Sequence, residues 1–238
     1  MSITRKKGPL YLQVKKIIKD RILHGVYPLG TNIPSEPLLE KEFQVSKMTI
    51  RSAMQELAQE GYVEKKSGVG TIVLRNTSFS KLSKGKRFTE ILVEEGHKIE
   101  KKVLGAALAD IEEGTELRRL FGARCRKIER LYFLDGEPFI HYIHFFSEAV
   151  WLDEAAGLPD MQSLYDLIEE SRIELESFRD RFTVGFASAE TGKLLGVPEG
   201  APLLKRLRYS FDAEGNAVEH SVGFYNTELQ HYLVSYDT

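Results

Sequence analysis

The sequence predicts an α+β protein of two domains, a small helical head with a β-hairpin and a larger body built on an antiparallel sheet. At 238 residues the chain exceeds one typical domain. A stretch rich in Ser, Lys and Gly and lacking hydrophobic periodicity, residues 77–85, divides residues 1–76 from residues 86–238. In the second part, the order helix, β-rich run, tight turn, β-rich run occurs twice.

The head opens with a basic tail and a helix from Pro9 to Gly25, its apolar side formed by Leu10, Val14, Ile17, Ile18 and Ile22. A turn through Tyr27-Pro28-Leu29-Gly30-Thr31-Asn32 leads to a short helix over Pro34 to Phe43, with Ser35 in the capping position and Glu36 in the positively polarised first turn. Gln44-Val45 is the turn into the next helix, where Ile50, Ala53, Met54 and Leu57 recur at i, i+3, i+4 and i+7. Ser46 stands before that pattern as its N-cap, and the first turn presents Lys47, Thr49 and Arg51 outward. A helix N-terminus carrying two cations and a hydroxyl suits phosphates and base edges. Past Glu60-Gly61, residues 62–73 read as two β-arms around a glycine-containing turn. Two helices across a short turn plus a basic hairpin make a winged helix-turn-helix.

The segment from Leu10 to Val73 resembles the DNA-binding domain of the GntR family of bacterial transcription regulators. The resemblance rests on Leu10-Tyr11, Gly25, Gly30, Pro34-Ser35-Glu36, Leu39, Phe43, Val45-Ser46, Thr49-Ile50-Arg51, Ala53, Leu57, Glu60-Gly61 and Gly68-Val69-Gly70-Thr71. It implies DNA contacts from the start of the third helix and the wing tip, at Ser46, Lys47, Thr49, Arg51 and Gly68. Lys47 stands where the family most often has Arg, and Pro37 where some members have Arg.

Charge supports a polyanionic partner for one end only. Residues 1–76 hold thirteen Lys and Arg against seven Asp and Glu, net +6; with the whole chain at −2, the remainder carries −8. No 18-residue apolar run and no signal peptide is present, so the expectation is a cytoplasmic protein without a membrane partner. The single cysteine, Cys125, excludes an intrachain disulfide and a Cys-based zinc site, and no cofactor or metal is expected.

In the body, residues 88–96 read as a helix, Ile99 to Ala109 as a strand, and Ile111 to Leu120 as a helix. Strands over Arg124 to Leu134 and Pro138 to Phe146 follow, joined at Asp135-Gly136. The second copy runs through a helix at Ala189 to Leu195 and strands at Leu203 to Phe211 and Ala217 to Tyr225. An antiparallel sheet with helices to one side follows.

This body resembles the UTRA domain of the HutC subfamily, an effector-sensing module of chorismate-lyase-like fold. The matching positions are Phe88 and Gly96, Arg130, Asp135-Gly136-Glu137-Pro138, Ser163-Leu164-Tyr165, Leu195-Gly196-Val197 with Gly200, and Val218-Glu219 with Ser221. The resemblance implies a small-molecule pocket lined by Arg87, Phe88, Thr89, Arg130, Tyr132, Tyr142, Ser163, Tyr165, Glu219, Ser221 and Tyr225. Even spacing alone places Arg130 and Tyr132 on one strand face, and Glu219, Ser221 and Tyr225 on another. A cation, hydroxyls and a carboxylate suit a phosphorylated sugar or similar small anion. Tyr132 and Tyr142 stand where sugar-phosphate sensors of the subfamily often have Arg and Glu; His141 and His144, three apart on a strand, face opposite sides. The expected function is a homodimeric, effector-controlled regulator, a repressor, on a double-stranded operator. The alternative, a small-molecule enzyme on the lyase-like fold, lacks a nucleophile–base pair, a metal cluster or a phosphate loop, and does not require the head.

Overall fold

The computed structural model describes residue 3 and residues 8–76, 88–150 and 164–233. It divides into two compact units, one with the head and residues 85–99, the other with residues 100–233.

In the first unit, α1 (Leu10–Leu23), β1 (Asn32–Ile33), α2 (Glu36–Phe43), α3 (Lys47–Gln59), β2 (Val63–Lys66) and β3 (Gly70–Val73) form a winged helix-turn-helix. Val14, Ile18 and Ile22 of α1 pack with Leu39, Ile50, Ala53 and Leu57 in one core, and Met54 lies half-buried against it. The helical period thus fixes which face of each helix is covered. Gln44, with φ of 52°, ends α2 in the left-handed region and turns the chain into α3. Two details depart from the sequence expectations. Ser35 occupies the N-cap position of α2, yet its side chain makes no capping bond. The turn before α2 contains a short strand, β1, which pairs with β3, so the wing is three-stranded in the order β1-β3-β2. A two-residue strand has too little alternation to be visible in a sequence.

The helix α4 (Phe88–Glu94) belongs to this same unit, and Ile99 donates its backbone N–H to the carbonyl of His24 at 3.1 Å.

The second unit contains β4 (Ile99–Asp110), α5 (Glu116–Phe121), β5 (Arg124–Leu134), β6 (Glu137–Phe146), α6 (Leu164–Glu170), β7 (Leu175–Phe186), α7 (Ala189–Leu195), β8 (Pro202–Asp212) and β9 (Ala217–Tyr225). Six strands form one antiparallel sheet in the order β4-β5-β6-β9-β8-β7. That order is a duplication: β4-α5-β5-β6 and β7-α7-β8-β9 are the same unit twice, meeting at β6 and β9. Asp135 and Gly136 both take positive φ, as a two-residue hairpin demands.

Helix α5 is shorter than the sequence suggests. It starts after Thr115, whose hydroxyl accepts from the Arg118 N–H, because Gly114 turns the preceding segment out of helical geometry. The helices also cover both sheet faces rather than one. Tyr165 and Leu167 of α6 lie over the face carrying Ile128 and Phe146, while Thr191 of α7 and Glu116 of α5 bond His141 and Tyr209 on the other. Both faces of the sheet carry buried side chains, so both need a cover.

Candidate DNA-binding face and effector site

The geometry of the expected DNA-binding face is set by caps and ion pairs. Ser46 accepts a hydrogen bond from the Thr49 N–H at 3.3 Å, and the two hydroxyls lie 2.9 Å apart, so the capping residue also places Thr49. Lys47 and Met48 project from the first turn into solvent, Met48 70% exposed. At the wing tip Gly68 takes φ of 74°, and a side chain built there would meet nothing within 4 Å. Glycine serves the left-handed turn itself and leaves its backbone open to close approach. Arg51 is half-exposed, with Nε 3.1 Å from one oxygen of Glu36; Lys65, on the wing, reaches the other oxygen at 2.9 Å. Exposed Met48 and Val69 were not among the DNA contacts expected from the sequence; such apolar groups suit thymine methyls.

In the sheet unit, the register gathers the predicted polar residues on one face. Arg130, Tyr142, Gly223 and Arg206 stand opposite one another across four strands, with Phe182 at the edge. The next row holds Ile128, His144, Ser221, Arg208 and Asp180, and the row on the other side Tyr132, Ile140, Tyr225 and Leu204. Residues facing each other in antiparallel strands share a face, as do neighbours two apart. Thus Arg130, Tyr132, Tyr142, Glu219, Ser221 and Tyr225 form one cluster.

Tyr165 joins it from α6, its hydroxyl accepting from Arg208 Nη1 at 2.6 Å. Arg87 and Ser163 lie outside the described residues, and Phe88 and Thr89 belong to α4 in the first unit.

The cluster is buried and connected. Arg130 is 0% exposed, so it is not a surface partner of Glu129, which instead lies 2.7 Å from His141 on the opposite face. Buried Glu219 accepts from Ser210 at 2.6 Å and from His144 Nδ1 at 3.1 Å. Burial opposes its ionisation, but bonds from His144, Ser210 and Ser221 outweigh burial and hold its carboxyl below the usual range. Burial lowers the affinity of His144 for a proton, Glu219 opposing that only in part. A neutral His144 donating from Nδ1 leaves Nε2 as an acceptor, and among the described residues Nε2 has no partner.

Asp180 ties the second repeat together. Arg208 holds it through Nε and Nη2, both at 2.8 Å, and Arg206 Nη2 lies 2.9 Å away. Arg206 Nη1 also donates to the Tyr225 hydroxyl at 3.3 Å, and that hydroxyl bonds to that of Tyr142. The Tyr142 ring crosses β9 only because Gly223 has no Cβ; one built there would stand 2.5 Å from Tyr142 Cε1.

Against known proteins, the family described as bacterial regulatory proteins, gntR family, matches residues 10–73, and the UTRA domain matches residues 94–230, more than half the sequence. The chain belongs to the GntR family. Within it, the UTRA domain places the chain in the HutC subfamily, as a DNA-binding regulator and not an enzyme. HTH-type transcriptional repressor NagR of Bacillus subtilis is 28% identical over 235 residues, 94% of this chain and 95% of that one. The "probable fructoselysine utilization operon transcriptional repressor" of Escherichia coli K12 is 27% identical, covering 89% and 88%. The crystal structure of PhnF from Mycobacterium smegmatis has the same fold, with TM-score 0.54 at 22% identity over 90% of this chain and 95% of that one.

For this GntR member, sequence reading missed Arg206, Arg208 and Asp180 and set His144 aside. The signal was available for two of them: Arg206, Arg208 and Ser210 are spaced by two on the strand opposite Glu219 and Ser221. Asp180 lies on β7, a strand whose charges hide its β pattern.

Proposed function

We propose that the chain is a cytoplasmic, homodimeric transcriptional repressor that contacts operator DNA through Ser46, Lys47, Thr49, Arg51 and Gly68. Its operator affinity is set by a small phosphorylated sugar held on the polar sheet face. The observation that carries the effector reading is the pair of buried guanidiniums, Arg130 and Arg206, on one face with the half-buried Arg208. Against Asp180 and Glu219, three guanidiniums leave a net positive site, and guanidinium is the group best shaped for phosphate oxygens. Arg206 supplies the cation that Tyr132 withholds from the first strand. The acceptor at His144 Nε2, with the hydroxyls of Ser221 and Tyr225, suits sugar hydroxyls. A relative named for fructoselysine utilization is compatible with a sugar-derived effector.

Dimer formation is supported by the sheet edges. Leu104 and Leu108 on β4, and Val184 and Phe186 on β7, are exposed apolar residues on strands that nothing pairs on their outer side among the described residues. No helix among those residues is long and apolar enough to cross a membrane.

A thermal-shift panel tests the effector class. A ligand at about 100 times its Kd stabilises the native state by about 2.7 kcal/mol. Sugar phosphates should raise Tm and their dephosphorylated counterparts should not; a response confined to uncharged sugars or amino acids would reject the phosphate reading.

A further inference from the structure

Glu36 is an acidic residue on a surface otherwise arranged for a polyanion. It stands at the first position of α2, and its two carboxylate oxygens are divided between two other elements: Oε2 accepts from Arg51 Nε on α3 at 3.1 Å, Oε1 from Lys65 Nζ on β2 at 2.9 Å. A carboxylate there would repel phosphate, so as a surface charge alone it would weaken DNA binding. Its geometry gives it another use.

We propose that Glu36 is the positioning residue for sequence readout, orienting the Arg51 guanidinium so that its two terminal amino groups face a base edge as a fork. The proposal rests on Arg51 being a DNA contact. Bonding through Nε is the decisive detail. Among the described residues Glu36 is the sole hydrogen-bond partner of Arg51, so the Nη1 and Nη2 donors are uncommitted, and these are the pair that matches guanine O6 and N7. An arginine held at Nε loses freedom along its chain before DNA arrives, so less is lost on binding. Glu36 is itself held: it is largely covered, and Lys65 and Arg51 keep its carboxyl below the usual carboxylate range.

Because Lys65 shares the carboxylate, the wing and α3 are registered against each other through one side chain. Lys65 retains two N–H donors for phosphate, and Lys47 stands exposed at the start of α3. Phosphate affinity therefore comes from lysines, and base discrimination from the arginine that Glu36 aims. The consequence is an opposite effect on two kinds of DNA. Removing the negative charge strengthens binding to any duplex, while releasing Arg51 weakens binding to the preferred one.

The experiment selects a preferred duplex from random-sequence DNA with the full wild-type chain. Affinities for that duplex and a scrambled one are then measured for wild type, Glu36→Gln, Arg51→Ala and the double variant. The prediction is that Glu36→Gln binds the preferred duplex about tenfold more weakly and the scrambled one at least as tightly as wild type. In the Arg51→Ala background, Glu36→Gln causes no further loss of discrimination, because Glu36 acts through Arg51. Unchanged discrimination in Glu36→Gln overturns the proposal, as does an equal loss on both duplexes, which marks a general role in folding or phosphate binding. If instead Arg51→Ala itself discriminates as wild type does, the contact assigned to Arg51 fails, and the proposal with it. Thermal unfolding of Glu36→Gln is expected near wild type, since exposed ion pairs add little.

Discussion

Arg130 and Arg206 occupy equivalent places in the two halves of the sheet: each stands one strand outward from the Tyr142–Gly223 pair at the junction, in the same transverse row. Three strand spacings, about 14 Å at the backbone, separate them. Their side chains rise from the same face of the sheet, and under the proposed function a small-molecule ligand would lie between them. The duplication that builds the sheet therefore also places one arginine on each side of the Tyr142–Gly223 pair, as the proposed two-cation site requires.

Replacing either arginine by methionine keeps bulk and removes charge. We expect Arg206→Met to abolish the thermal shift produced by sugar phosphates while leaving DNA affinity unchanged, since the Arg208–Asp180 fork survives. Arg130→Met should do the same to the ligand response. If DNA binding is lost in parallel with the ligand response, the arginines maintain the fold instead of reading an effector.

Gly223→Ala tests the centre of the row. An added Cβ would fall 2.5 Å from Tyr142 Cε1, so the ring must move and its hydroxyl bond to Tyr225 must break. We expect a destabilisation of about 1–3 kcal/mol, the usual range for overpacking. The variant Gly223→Ala/Tyr142→Ala relieves the clash and should be less destabilised than the sum of its parts. Strict additivity would show that the ring is not what the glycine accommodates.

The pH dependence follows from two buried histidines. In the unfolded chain a histidine takes up its proton as pH falls through 6.5, but burial lowers the proton affinity of His144 and His220 in the fold. The unfolded state then binds more protons, so stability should decline as pH drops below that value. Glu219 adds a separate loss at lower pH: with its carboxyl held low, its contribution is present above the ordinary carboxylate value of 4.5 and disappears as pH falls through the lowered one. Unfolding curves between pH 5 and pH 8 should show a shallower decline for His144→Asn, whose amide still donates toward Glu219. An identical slope would remove His144 as a source.

On the DNA side, Arg51→Ala should weaken binding to the preferred duplex by about 1–3 kcal/mol, whereas Lys47→Ala should weaken preferred and scrambled duplexes alike and reduce the salt slope. A sequence-dependent loss at Lys47 would reassign that lysine to base readout.

The head was legible because its rules are local. Ile50, Ala53 and Leu57 announce a helix face within eight residues, Ser46 announces its start, and the structure buries and caps them accordingly. The body was legible where hairpins carry turn signals: Asp135-Gly136 set β5, at its expected bounds, against β6, which starts one residue earlier than expected, at Glu137. Strand β7 escaped because it is an edge, where exposure lets Asp180, Arg179 and Arg181 interrupt the apolar alternation. Helix α6 has only seven residues, too short for a 3.6-residue period to show. Half the candidate site was read from even spacing within single strands. Arg206 and Asp180 needed the register between strands distant in sequence, which the hydrophobic pattern of either strand alone does not encode.

The most direct test of the account is the linkage between its two sites. Fluorescence anisotropy of the selected duplex would be measured with and without the sugar phosphate that gives the largest thermal shift, and the affinity for that compound measured with and without DNA. Coupling in such regulators is expected at about 1–3 kcal/mol, and it must be reciprocal. The ligand should weaken DNA binding about tenfold, and DNA should weaken ligand binding by the same factor. A ligand that binds the body while leaving DNA affinity unchanged would contradict this linkage.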